Sequence, residues 1–215
     1  MAVESFDAEQ IHRRFVGLAE EMSPALAGDL RSLGPIVWPE RDAASIGLFL
    51  ARAVIGQQLS TKVARVIWSR VEALAAATGG DPLAAFAPAN AEALRTCGAS
   101  RAKVKALAAI REAELAGWLD EGALRAMTAE ERARQLKAIW GIGQWTCDMA
   151  AIFHFRDLDI WPEGDLAVRN TFARYIGRRK PARAAARFAP QRSVLALYLW
   201  AIMDRMPAQQ PAVTR

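Results

Sequence analysis

Apolar residues recur at helical spacing along most of this chain, and that periodicity constrains its fold more than any other feature. Period-two alternation is scarce, and no Asn-Gly or Asp-Gly turn sits between β-branched runs, so β-hairpins are not expected. Alanine and leucine, both strong helix formers, are abundant. The pattern predicts helices over roughly 7–21, 24–33, 43–57, 60–78, 89–96, 100–116, 129–138, 144–155, 165–176, 182–188 and 191–206. Asp7, Ser23, Ser60, Ser100 and Thr128 are predicted N-caps, and Pro24 suits a first helical position. Gly79-Gly80-Asp81-Pro82 is a clear break. The expected fold is all-α, without repeats or long linkers. The simplest architecture is one unit of two helical lobes: 1–45 with about 166–215, and about 46–165. A ligand site is expected in the cleft between them.

Hydrophobic residues make up 53% of the 215 positions, enough for a sizeable core. No apolar run reaches the ~18 to 20 residues that span a bilayer. The longest, Val194 to Met203, is closed by Ser193 and Asp204. The N-terminus lacks a basic segment followed by an apolar one, so no secretory signal is expected. Cys97 and Cys147 give no disulfide framework and too few ligands for a four-cysteine metal site, and they read as reduced packing thiols. A cytoplasmic protein follows.

The net charge of +5 is unevenly placed. Leu166 to Met203 holds eight basic residues and no acidic one: Arg169, Arg174, Arg178, Arg179, Lys180, Arg183, Arg187 and Arg192. The rest of the chain carries 20 basic against 23 acidic residues. Such a run is ordinarily a solvated face. Lying next to Asp165, it favours a polyanionic partner, nucleic acid above all.

The candidate chemistry lies between Leu136 and Asp165. Gly141-Ile142-Gly143 joins two apolar helical patterns. Gly141 and Gly143 permit positive φ and leave room for close backbone approach. Gln144 to Thr146 open the next helix, where unpaired amides and the helix dipole favour an anion. A DNA phosphate suits that place and would position the protein without reading a base. An ordinary helical hairpin with a glycine turn is the alternative. Asp165 follows Trp161-Pro162-Glu163-Gly164 and opens another helical pattern. Its ordinary role there is an N-cap, and a cap can also fix a carboxylate beside a cleft.

Two motifs carry a family resemblance. Leu136–Asp165 resembles the helix–hairpin–helix, Gly/Pro-rich loop and aspartate of the HhH-GPD superfamily of DNA glycosylases. Ala53-Val54-Ile55-Gly56-Gln57-Gln58-Leu59-Ser60 resembles the Gln-Gln-Leu-Ser helix end of its alkylbase branch, the 3-methyladenine DNA glycosylase II family. The resemblance runs from about Phe49 to Trp200. It implies an all-α, two-lobed fold with a helix-hairpin-helix motif and a base pocket in the cleft between lobes. It also implies an enzyme that flips out alkylated purines such as 3-methyladenine and cleaves the N-glycosidic bond. By resemblance, Asp165 is the catalytic carboxylate, which would stabilise positive charge on the sugar and help activate water. Bifunctional relatives carry a Schiff-base lysine where Trp145 stands here, and tryptophan has no amine to attack C1′. A monofunctional glycosylase that leaves an abasic site is therefore implied.

Trp145 can stack on an electron-poor base. Met149, which stands where some relatives have an aromatic ring, joins Trp38 and Trp161 as further base-pocket candidates. Candidates for DNA contact are Gly141, Gly143, Gln144, Thr146, Gln57, Gln58, Ser60, Arg101, Lys103 and Arg169. Arg101 falls where relatives place the residue that plugs the gap left by the flipped base, with a phosphate contact as its alternative. Lys103 and Lys105 read as phosphate contacts or solvated side chains. Arg192-Ser193 matches a feature near the family's final helix. The chemistry requires no metal or organic cofactor, and relatives leave open a monovalent cation on the hairpin carbonyls. The expected partner is damaged double-stranded DNA, bound by a monomer in a bacterial cytoplasm. Two other readings stay open. One is a glycosylase for uracil, hypoxanthine or a mismatched base; the other is a non-catalytic DNA-binding helical module.

Overall fold

The computed structural model describes residues 7–40 and 44–205. These residues form twelve α-helices and several 3-10 or π-helical turns, with no strand among them. The all-α expectation holds. The chain divides into two compact units, one drawn from 1–39 and 157–215 and the other from 40–156. The boundaries expected from sequence, near 45 and 165, fall later along the chain at both places.

The first unit is built on both ends of the chain. Helices α1 (Ala8–Met22) and α2 (Pro24–Leu33) share Ser23 as a junction. Its N–H closes α1 on the Ala19 carbonyl at 2.7 Å, and its hydroxyl accepts from the Leu26 N–H of α2 at 3.4 Å. A cap of this kind contributes about 1 kcal/mol. Helices α10 (Leu166–Ile176) and α11 (Pro181–Ala185) lead to α12 (Arg192–Arg205). Residues Ser193 through Leu199 of α12 are all buried, so it is the central helix of this unit rather than a surface helix with one apolar stripe. Phe188 meets Phe15 and Phe172 edge-on, with ring centres 4.9 and 6.2 Å away. Buried Tyr198 donates its hydroxyl to the Gly34 carbonyl at 3.1 Å and accepts from the Ile36 N–H at 3.2 Å. His12 Nδ1 lies 2.8 Å from the same oxygen. The phenol thus ties the segment after α2 to the core without an unsatisfied polar group.

The second unit is continuous in sequence. Its helices are α3 (Ile46–Gly56), α4 (Thr61–Ala77), α5 (Ala91–Thr96), α6 (Arg101–Leu115), α7 (Glu121–Ala126), α8 (Ala129–Lys137) and α9 (Gln144–Met149). Helix α3 packs against α4, α6 and α9, so apolar residues cover most of its circumference. Leu50, Val54, Val71, Phe86, Leu94, Leu107 and Leu136 form the core, each side chain contributing roughly 1.5–3 kcal/mol on burial. Buried Arg132 donates to the carbonyls of Leu124 (2.9 Å) and Met127 (3.3 Å), and its guanidinium sits 4.0 Å over the Phe155 ring. That arginine holds the α7–α8 junction in place of an apolar side chain.

All five predicted N-caps accept the expected backbone N–H bonds. Helix α7 was not predicted; it is six residues long, started by Asp120, and too short to show a period. The predicted helix over 144–155 changes pitch. It is α-helical to Met149, π-helical from Ala150 to Phe155, and ends at Arg156 in left-handed backbone. The predicted helix over 43–57 starts at Ile46 and that over 191–206 at Arg192; residues 43 and 206 lie outside the described residues.

Candidate functional site

Asp165 is the N-cap of α10 and is 9% exposed. Its Oδ1 accepts from the Val168 N–H at 2.8 Å and from the Trp200 indole N–H at 3.3 Å. The cap reading and a fixed carboxylate are therefore one geometry. The loop in front is just as firmly set. The Asp165 N–H bonds the Pro162 carbonyl, and the Glu163 N–H bonds the Trp161 carbonyl, both at 2.9 Å. Ser193 donates its hydroxyl to the Asp157 carbonyl (2.6 Å) and accepts from the Ile160 N–H (2.9 Å). Arg192 grips Asp159 with Nε on Oδ1 (2.7 Å) and a terminal nitrogen on Oδ2 (2.9 Å). This fork holds the Asp159 carboxyl below its ordinary range, against the opposing effect of burial. Trp161, half-buried, lies 5.7 Å from the Phe172 ring and donates its indole N–H to Glu163 at 2.5 Å. Trp38 is buried in this unit.

The glycine turn lies in the second unit, between α8 and α9. Gly141 has φ of +89°, and a Cβ there would stand 2.6 Å from the Ala106 Cβ of α6. Only glycine fits, for backbone and packing reasons together. Gly143 does not use the positive φ that glycine permits. Its φ of −102° and ψ of 178° are extended backbone open to any residue. A Cβ at Gly143 would meet nothing within 4 Å. Its side of the turn is open space, as close approach of a partner requires.

Several predicted contact residues turn out to brace this turn. Gln57 donates its amide to the Thr146 hydroxyl at 3.2 Å and to the Gly141 carbonyl at 3.4 Å. Thr146 is 1% exposed, so its hydroxyl serves the turn and not a ligand. Lys103, read as a phosphate contact or a solvated side chain, also bonds within its own unit. Its ammonium donates to the carbonyls of Ile55 (2.8 Å) and Gln57 (3.1 Å) at the end of α3, and burial lowers its pKa. Lys105 rests over the Trp140 ring, 4.4 Å from its centre. Gln144 accepts from Lys137 (2.9 Å) and donates to buried Asp148 (2.8 Å), whose pKa burial pushes up. Trp145 is half-buried and Met149 buried.

Other candidates stay at the surface. Gln58 is exposed in left-handed backbone, φ +58°. Ser60 caps α4, and Arg101 opens α6 as an exposed side chain. Arg169 lies 4.0 Å from Glu163. Among the described residues no group of three or more His, Cys, Asp and Glu is placed to hold a metal ion. No helix among them is long and apolar enough to cross a membrane.

No protein-family model matches the chain. The DNA-3-methyladenine glycosylase 1 of Schizosaccharomyces pombe is 34% identical over 160 residues, spanning 70% of this chain and 69% of that protein. The chain belongs to the 3-methyladenine DNA glycosylase family. Its backbone agrees with two solved structures. The DNA-3-methyladenine glycosidase of Bacillus halodurans superposes with a TM-score of 0.74 at 26% identity, covering 95% of this chain and 92% of that one. The Schizosaccharomyces pombe 3-methyladenine DNA glycosylase, in complex with abasic DNA, gives 0.74 at 27% identity, covering 89% and 95%.

The residues that sequence reasoning missed in this 3-methyladenine DNA glycosylase family member are supports. Trp200 donates to Asp165, Asp159 receives Arg192, and Asp148 receives Gln144. One signal was legible for Trp200. A tryptophan on an otherwise apolar helix needs a partner for its N–H. Nothing in the sequence pairs Asp159 with Arg192 across 33 positions.

Proposed function

We propose that this chain is a monofunctional DNA glycosylase that flips alkylated purines such as 3-methyladenine out of double-stranded DNA and hydrolyses their N-glycosidic bond. The observation that carries this reading is the setting of Asp165: a buried carboxylate, fixed by a backbone and an indole N–H, on a loop anchored by Ser193 and Arg192. A charge fixed before the reaction stabilises the transition state without reorganisation at the moment of bond cleavage. The electron pair of the breaking bond leaves with the base and neutralises the cationic purine. Positive charge develops on the sugar, where Asp165 opposes it. Water adds to C1′ and loses a proton, leaving an abasic site. Trp145 supplies no amine, which supports hydrolysis over Schiff-base chemistry.

We assign the 141–143 turn to a phosphate of the duplex, with Gly143 as the point of approach. Gln57, Thr146 and Lys103 then act as braces for that grip. Trp145 and Trp161 are the candidates for stacking on the extruded base. Arg101 is the candidate for filling the vacated stack. A monovalent cation on the hairpin carbonyls would share the Gly141 oxygen with Gln57. The working form is a monomer in the cytoplasm. Incubation with methylated DNA and mass spectrometry of the released bases tests the proposal. Release of 3-methyladenine with intact abasic sites is expected. Release of uracil or hypoxanthine instead, or binding without release of any base, would overturn it.

A further inference from the structure

The basic run after Asp165 is not one surface. Arg192 is held by Asp159, Arg187 reaches Glu21, and Arg169 faces Glu163. Arg178, Arg179, Lys180 and Arg183 are different. They are exposed, and no acidic side chain pairs with any of them among the described residues. All four line one groove of about 1000 Å³, together with Ile176 and Ala184. The acids Asp29 and Glu21 already bind Tyr175 and Arg187, which also border it. Gly177, with φ of +60°, ends α10 and turns the chain so that three cations follow directly. Asp165 begins that helix and the groove lies at its far end, roughly 16 Å away at 1.5 Å per residue. The groove therefore lies outside the immediate surroundings of Asp165.

We propose that this groove is a second nucleic-acid site, holding the phosphodiester backbone of undamaged DNA. The inference rests on the DNA-glycosylase reading for its partner class. Guanidinium forks match phosphate oxygens in pairs. Four cations within six residues suit a polymer bearing one charge per about 1.7 Å of duplex better than an acidic peptide. Contacts of this kind read no sequence.

The test is a quadruple variant, Arg178→Gln with Arg179→Gln, Lys180→Gln and Arg183→Gln, compared with wild type on undamaged duplex across a salt series. The slope of log affinity against log salt should fall by about 3 to 4, at about 0.9 per lost phosphate contact. The single-turnover excision rate on methylated DNA at saturating enzyme should not change. A companion with Arg178→Lys, Arg179→Lys and Arg183→Lys should keep most of the slope. An unchanged slope in the quadruple variant overturns the proposal, as does an equal loss in the lysine companion. Tighter binding of polyglutamate than of duplex by the wild type overturns it in favour of an acidic protein. Two outcomes identify the source of the backbone, and both support the site. A deficit seen with a single bound duplex points to the flank of that duplex; loss of a second bound duplex points to a separate molecule. Failure of the wild type to release any methylated base sinks the proposed function, while the salt slopes still decide this inference.

Discussion

The Asp165 loop and the 141–143 turn both lead into a helix, yet they are held in opposite ways. The Asp165 loop is fixed by side chains: Ser193 on two backbone groups, Arg192 on Asp159, and Trp200 on the carboxylate itself. The 141–143 turn is fixed first by shape, with Gly141 in left-handed backbone pressed against Ala106. Hydrogen bonds fix the direction of a side chain, which charge stabilisation requires. A close-packed backbone turn presents amides and leaves Gly143 uncovered, which suits contact with a phosphate of any sequence.

The largest effect should come from the first region. Asp165→Asn keeps a capping side chain, so thermal stability should change little, while single-turnover base release should fall at least ~100-fold. Release near the wild-type rate would remove the distinction between a catalytic loop and a structural one. Next is the contrast within the turn. Gly141→Ala should cost about 2–4 kcal/mol through backbone strain and the Ala106 clash, whereas Gly143→Ala should stay within about 0.5 kcal/mol. Equal shifts in Tm would mean that shape does not hold the turn. Gly143→Asp should instead weaken duplex binding in every sequence context, and a loss confined to one context would break the phosphate assignment.

Ser193→Ala should cost about 1–3 kcal/mol, because the Ile160 N–H and Asp157 carbonyl lose their partner. It should also slow base release without changing duplex affinity; a change in affinity alone would contradict a positioning role. The smallest effect is acid sensitivity. Asp159 has a pKa lowered in the folded state by Arg192, so the stability it contributes is present above its ordinary pKa. That contribution is lost as pH falls through the lowered value. Asp159→Asn should therefore flatten the acid side of the Tm–pH profile, and an unchanged profile would rule out the Arg192 grip as its cause.

Helices were legible where the apolar period ran long enough, as over α6 behind its Ser100 cap. Helix α7 escaped because Gly122, a poor helix former, stands inside it and Leu124 is its one buried residue. The π-helical turn over Ala150–Phe155 escaped because apolar spacing does not distinguish one helical pitch from another. Asp165 was legible as a cap from its neighbours, while its proposed catalytic role comes from resemblance. The roles of Gln57, Thr146 and Lys103 were not legible. Each is polar, beside the motif and read as reaching outward, yet each makes hydrogen bonds to backbone or side chains of its own unit. Distant partners decide that, and no local pattern encodes them.

The first unit draws on both stretches of chain that flank the second. Synthesis proceeds from the N-terminus, so residues 40–156 can close their core while the polypeptide is still emerging. The core around Tyr198 must wait for α12, and so must the indole that holds Asp165. A chain interrupted after Arg156 would carry the glycine turn without the carboxylate. Assembly order thus leaves Asp165 without its indole partner until α12 has been made.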